Sequence, residues 1–171
     1  MKKYLLLLVI SVALISCGPA DEKPKPVEIP TVFRFSDLKY FINFHTITFD
    51  NNYSQNMLSK VDSANPYSFG FQSEIKKLHG GKASSIAVKT RYYYPDAGEI
   101  SLVCTVSQKD KVLYWEGFPL PSKNSLKKWV DIEKIFDLKK TYSGDEQLTV
   151  YVWSPKKTRA FIEELVVTPK E

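Results

Sequence analysis

Two-residue alternation of apolar and polar side chains is the feature that most limits what this chain can fold into. It is clearest in Gln147–Trp153, where Leu148, Val150 and Val152 share one face and Thr149, Tyr151 and Trp153 the other. Successive side chains of an extended strand point to opposite faces, so this pattern is a strand with one face in a core. Ser85–Tyr94 repeats it, with Ile86, Val88, Thr90, Tyr92 and Tyr94 against Ala87, Lys89, Arg91 and Tyr93. Pro95-Asp96-Ala97-Gly98 then breaks the strand. Ile100, Leu102, Cys104 and Val106 turn inward next, and Ser101, Val103, Thr105 and Ser107 outward. Beyond a polar turn at 108–111, Val112–Phe118 completes a three-stranded meander.

Residues 119–121 read as a Pro-rich loop, and a short helix is an option at Ser125–Trp129. Trp129–Leu138 carries Val130, Ile132, Phe136 and Leu138 in one phase, and Ala160–Thr168 makes a closing strand. Thr31–Leu38, Phe44–Phe49 and Tyr67–Ile75 read as less regular strands. No long segment has the helical period. The expected class is therefore all-β, an antiparallel sandwich or barrel.

The amino terminus reads differently. Lys2 and Lys3 precede an uncharged apolar run, Tyr4–Ile15, which ends Leu14-Ile15-Ser16-Cys17. A bilayer-spanning helix needs ~20 apolar residues, so the run is too short to span and has the length of a signal-peptide core. The tetrapeptide resembles the bacterial lipobox, in which a small residue precedes a lipidated cysteine. The resemblance implies a lipoprotein precursor cut after Ser16, with Cys17 carrying the acyl chains (palmitate among them) through a thioether. Two or more chains on one residue anchor stably. Gly18 stands where an inner-membrane retention signal would place Asp, which favours an outer-membrane address. Asp21-Glu22 either marks surface export or simply solubilises the tether.

Removing 16 residues from a chain of 171 leaves about 155, the size of one domain with a real core. Residues 18–30 hold four prolines and five charges and are expected to form an extended tether of about 40 Å, at ~3 Å per residue. The domain then occupies 31–171. Loss of Lys2 and Lys3 lowers the formal charge from +5 to +3. The lysines come mostly in pairs between apolar runs, as solvated loop residues do, and no basic stripe accompanies a nucleic-acid fold signature. Nucleic acid is excluded as a partner on that ground. With Cys17 acylated, Cys104 is the only free thiol and belongs in the core.

Trp115, Trp129 with Ile132 and Phe136, the run Leu148–Trp153 (LTVYVW) and Phe161-Ile162-Glu163-Glu164-Leu165 together resemble the carboxy-terminal half of galactose-binding-like jelly-roll domains, whose best-known members are carbohydrate-binding modules. Thr48-Phe49-Asp50 is similar to the early strand of that pattern. The resemblance spans about residues 48–168. It implies a jelly-roll sandwich, a glycan ligand and a structural calcium ion held by Asp50, Glu163 and Glu164. The closing acidic pair is usually Asp-Asp in that family; Glu-Glu here lengthens both side chains.

From the residues themselves, Tyr151, Trp153 and Tyr93 fall on non-core faces, where rings can stack on the apolar faces of sugars. The competing reading is cross-strand packing. Trp115 and Trp129 read as core or cross-strand packing. The carboxylates of Asp50, Glu163 and Glu164 could meet around calcium, which needs 6–8 oxygen ligands, if first and last strands pair. Otherwise they serve as partners for lysines. His45 reads as a packed or rim residue and His79 as part of a glycine turn. There is no nucleophile elbow, metal-ligand spacing or phosphate-cradling loop. Asp145-Glu146 lies in an exposed turn that gives no means of tuning acid–base chemistry. The expected function is a non-catalytic, membrane-anchored glycan-binding lipoprotein. The alternative is a structural lipoprotein that docks on an envelope protein.

Overall fold

The computed structural model describes Arg34 and residues 37–171 except Ser125 and the side chain of Asn124. The signal segment, Cys17, the tether and most of Thr31–Leu38 lie outside the described residues.

Among the described residues, ten strands form two five-stranded antiparallel sheets stacked as a jelly-roll sandwich. They are β1 (Phe41–Ile42), β2 (Ile47–Thr48), β3 (Leu58–Val61), β4 (Gly70–Glu74), β5 (Ala83–Tyr93), β6 (Glu99–Gln108), β7 (Lys111–Pro121), β8 (Trp129–Tyr142), β9 (Gln147–Trp153) and β10 (Ala160–Lys170). The front sheet runs β1-β4-β9-β6-β7 and the back sheet β2-β3-β10-β5-β8.

The alternating segments fold as their pattern dictates. Ile86, Val88, Ile100, Leu102, Cys104, Val106, Leu148, Val150 and Val152 are all fully buried between the sheets. Burying each aliphatic side chain of this size contributes roughly 1.5–3 kcal/mol. Tyr94 is also fully buried, and its hydroxyl donates to the carbonyl of Leu120 and accepts from the amide of Ile100, both at 2.7 Å. That pair of bonds satisfies the one polar atom of an otherwise apolar ring and ties the end of β5 to β6 and β7. Burial pushes its phenol well above the ordinary range.

Three expectations need correction. Phe44–Phe49 is a single 3-10 turn, Phe44–Thr46, followed by the two-residue β2, and Leu38–Tyr40 is likewise a 3-10 turn. Residues 51–66, which carry no alternation, contain β3. Pro119 and Pro121 lie inside β7, not in a loop. β7 is the outer strand of its sheet, where a missing N–H on the solvent side costs no ladder bond. The segment after β7 is a 3-10 turn at Ser122–Asn124 and not a helix over Ser125–Trp129.

The exposed edges β7 and β8 lie over one another, and charge closes the gap between them. Lys134 on β8 pairs with Glu116 on β7 at 2.8 Å, and the Tyr114 hydroxyl donates to Glu116 at 2.6 Å. Glu116 stands opposite buried Cys104 and Lys134 opposite buried Val88, so both side chains point inward. Inward charges on edge strands discourage pairing with another chain. The Lys134 ammonium also sits 5.3 Å from the ring centres of Phe118 and Phe136.

Candidate functional site: an aromatic face on the front sheet

The outward residues of the front sheet fall into lines across the strands, set by register. Gly70, Tyr151, Val103 and Gly117 make one line; Gln72, Thr149, Thr105 and Trp115 make the next. Trp153 stands opposite Ser101 on one side and is bridged to Tyr67 on the other.

Four rings meet on this face. Trp115 and Trp153 make an edge-to-face contact with centroids 6.5 Å apart at 82°. Tyr67 and Tyr151 do the same at 5.6 Å and 79°. Tyr67 is bridged to Trp153, and Tyr151 and Trp153 project two residues apart from one face of β9, so the two pairs are one connected patch. Tyr67 is 47% and Trp115 53% exposed, while Tyr151 and Trp153 are half-buried. Each exposed ring thus stands nearly perpendicular to the half-buried ring it touches. Burial, followed by the neighbouring Tyr67, pushes the Tyr151 hydroxyl above the ordinary phenol range. It stays neutral, able both to donate and to accept.

Local sequence explains the geometry. Gly117 has no side chain, and the indole of Trp115 reaches over it: a Cβ there would stand 2.8 Å from the ring edge. Gly70 plays the same part beside Tyr151, where a Cβ would meet the Tyr151 Cβ at 2.9 Å. Val103 faces outward, as alternation predicts, yet it is fully buried, between Tyr151 on β9 and Gly117 on β7.

Tyr151 and Trp153 are therefore on an open sheet face, but Tyr93 does not join them. Tyr93 lies on the outer face of the back sheet. There it packs against Tyr53 at 5.3 Å and Trp129 at 5.4 Å. Tyr53 comes from the 51–66 segment and also covers Phe161 at 4.3 Å, so that segment caps the back sheet and leaves the front strip open. Trp115, expected as packing, is instead one of the most exposed rings of the strip. Tyr67 was not singled out by sequence, because it joins the sheet through one isolated bridge and shows no alternation.

Asp50, Glu163 and Glu164 are not brought together. β10 pairs with β3 and not with β2, which keeps Asp50 a strand away. Asp50 instead accepts from the backbone and side chain of Asn52, at 3.1 and 2.9 Å. A bulge between Ile162 and Glu164 turns Glu163 aside. Its carboxylate accepts from Ser54, from Asn56 at 3.0 Å and from Arg91 at 2.9 Å. Glu164 points into a shallow depression on the back sheet with Lys89 and Glu133. A guanidinium thus satisfies Glu163 where a divalent ion was expected, and this donor set does not fit calcium. Among the described residues no three His, Cys, Asp or Glu side chains cluster as metal ligands. His45 and His79 are both exposed.

No family model and no curated protein matches the chain. Solved structures do. An arabinose-bound α-L-arabinofuranosidase superposes with a TM-score of 0.51 and 12% identity, over 79% of this chain and 24% of that one. This chain spans about a quarter of that enzyme's length. The likeness is one of fold. Two further similar structures are a family 35 carbohydrate binding module from Clostridium thermocellum and the CBM22-1 xylan-binding domain from Paenibacillus barcinonensis Xyn10C. The first has a TM-score of 0.44 and 10% identity over 81% of this chain and 92% of that one. The second has 0.46 and 11%, over 72% and 78%.

Proposed function

We propose that this protein is an exported lipoprotein, anchored through Cys17, whose sandwich binds a glycan on the front sheet without catalysis. The observation that carries the reading is the connected strip of Tyr67, Tyr151, Trp153 and Trp115 on an open sheet face. Rings in that arrangement offer apolar surface to the faces of sugar rings, and the Tyr151 hydroxyl adds a neutral polar group. Exposed aromatic clusters of this kind on a soluble domain mark binding surfaces. The lipobox resemblance supports the anchor, and the outer membrane is the address it favours.

Two experiments test the two halves. The full chain, purified in detergent, is screened on a glycan array beside Trp115→Ala and Tyr67→Ala. Selective retention that both substitutions weaken supports the reading. Retention of nothing leaves the strip as a docking face for an envelope protein. For the anchor, Cys17→Ala should abolish labelling by palmitate and release the protein from membranes; a mutant that still labels and still sediments with membranes refutes it.

A further inference from the structure

We infer that the ligand of this face is an uncharged polysaccharide lying across the strands, its hydroxyls read by Gln72 and Thr105 beside the rings, with buried Thr149 holding the Gln72 amide in place. The inference rests on the glycan-binding reading and narrows it to one chemical class.

Charge is excluded from the working part of the front sheet. The outward side chains of its strands include only two carboxylates near the rings, at opposite ends, and both are neutralised. Glu74 pairs with Lys77 at 2.6 Å and with Lys76 at 3.2 Å. Glu99 pairs with Lys156 at 2.6 Å. Between them, the outward positions on β4, β9, β6 and β7 hold glycine, threonine, serine, glutamine, valine, proline and the rings. The back sheet is the reverse: Lys89, Arg91, Asp131, Glu133 and Glu164 crowd its outer face. The lysines that flank the front face, Lys76, Lys77 and Lys156, are each held by a carboxylate at its ends.

A polyuronate or sulfated glycan laid on the rings would bring anions to a surface whose flanking lysines are already paired with Glu74, Asp145 and Glu99, and their desolvation would go largely uncompensated. A neutral sugar meets the opposite situation. Its apolar ring faces cover the aromatics, and its hydroxyls find hydroxyl and amide partners of matching polarity. Those partners form one line. The Gln72 amide donates to buried Thr149 at 3.3 Å, half-buried Thr105 stands opposite Thr149, and Trp115 stands opposite Thr105. The line crosses four strands, about 14 Å at the usual strand spacing, a span that suits a few linked sugar rings. It runs directly beside Tyr151, so one chain can touch rings and polar groups together.

The test compares neutral polymers (galactan, arabinoxylan, mannan) with acidic ones (polygalacturonate, alginate, chondroitin sulfate), using the full chain in detergent. A neutral polymer is expected to bind at least roughly ten-fold tighter than any acidic one. Its affinity should change less than about two-fold between roughly 50 and 500 mM NaCl, because no ion pair is there to screen. Thr105→Val, which removes one hydroxyl at constant shape, should weaken binding about three- to ten-fold with the melting temperature unchanged. Lys89→Ala on the back sheet should leave binding intact. Preferential binding of an acidic polymer that collapses in salt overturns the neutral class while leaving a glycan-binding protein. Binding of neither panel overturns both readings.

Discussion

Replacing Gly117 by Ala should disarm the aromatic strip without unfolding the protein. The added Cβ would lie 2.8, 3.3 and 3.5 Å from three atoms of the Trp115 indole. Carbon atoms rest at about 3.5–4.0 Å, so the ring must shift by roughly 1 Å. The atoms in the way are the far edge of a side chain that is 53% exposed, so it can swing outward without moving the backbone. Doing so breaks the edge-to-face contact with Trp153, which is worth about 0.5–1.5 kcal/mol. Against that, alanine in a strand regains about 0.5–1 kcal/mol relative to glycine. The two terms nearly cancel. At this chain length a residual 1 kcal/mol moves the melting midpoint by about 2–4 °C. The expected result is therefore a changed near-ultraviolet circular dichroism spectrum, in which the tryptophan pair contributes, with melting almost unchanged and glycan retention lost. An unaltered tryptophan spectrum in Gly117→Ala would show that the indole does not lie over Gly117, and the geometry argued for the strip would fall.

Val150→Asp should prevent folding, because it places an unpaired charge at a fully buried position between Phe71 and Cys104 at a cost on the order of several kcal/mol; a soluble, cooperatively melting mutant refutes the strand phase. Cys104 should resist thiol reagents until denaturant is added, since burial pushes its thiol far above the ordinary range; rapid native labelling would contradict this. Glu116 loses solvation on burial, yet its bonds to Lys134 and Tyr114 outweigh that and hold its carboxyl below the usual range. Its stabilising contribution is thus complete at neutral pH and is lost as pH falls below the ordinary carboxylate range, so Glu116→Gln should flatten part of the acid limb of a melting-temperature profile; an identical limb in the mutant refutes it. Glu163→Ala should free the 50–56 loop, which Ser54 and Asn56 tie to that carboxylate, and speed its cleavage by a protease, while chelator leaves the melting of the wild-type protein unchanged; a chelator-induced fall would mean that a metal takes part in holding the loop.

Strands with one wet face were legible in the sequence because their burial alternates. β5, β6 and β9 have nearly every inward residue fully buried. β1, β2 and β3 span two to four residues, too few to show any period. β7 was readable only in part. Val112, Leu113, Tyr114 and Trp115 are apolar on both faces, and a register shift between Val106 and Ser107 on its partner strand hides the phase. This is why Trp115 read as packing. Tyr93, Tyr151 and Trp153 were all correctly read as outward, but alternation cannot say which of two sheets a strand joins. Glu163 escaped because a bulge redirects it, and bulges leave no mark in the pattern.

The position of Arg34 bears on orientation. It lies against the outer surface of the back sheet, beside Ala87, Val166 and Thr168. The polypeptide therefore arrives at the side of the sandwich remote from Tyr67, Trp115, Tyr151 and Trp153, with both sheets, about 10 Å apart, in between. A polymer held on the rings and the polypeptide at Arg34 therefore occupy opposite faces of the sandwich and do not compete for surface.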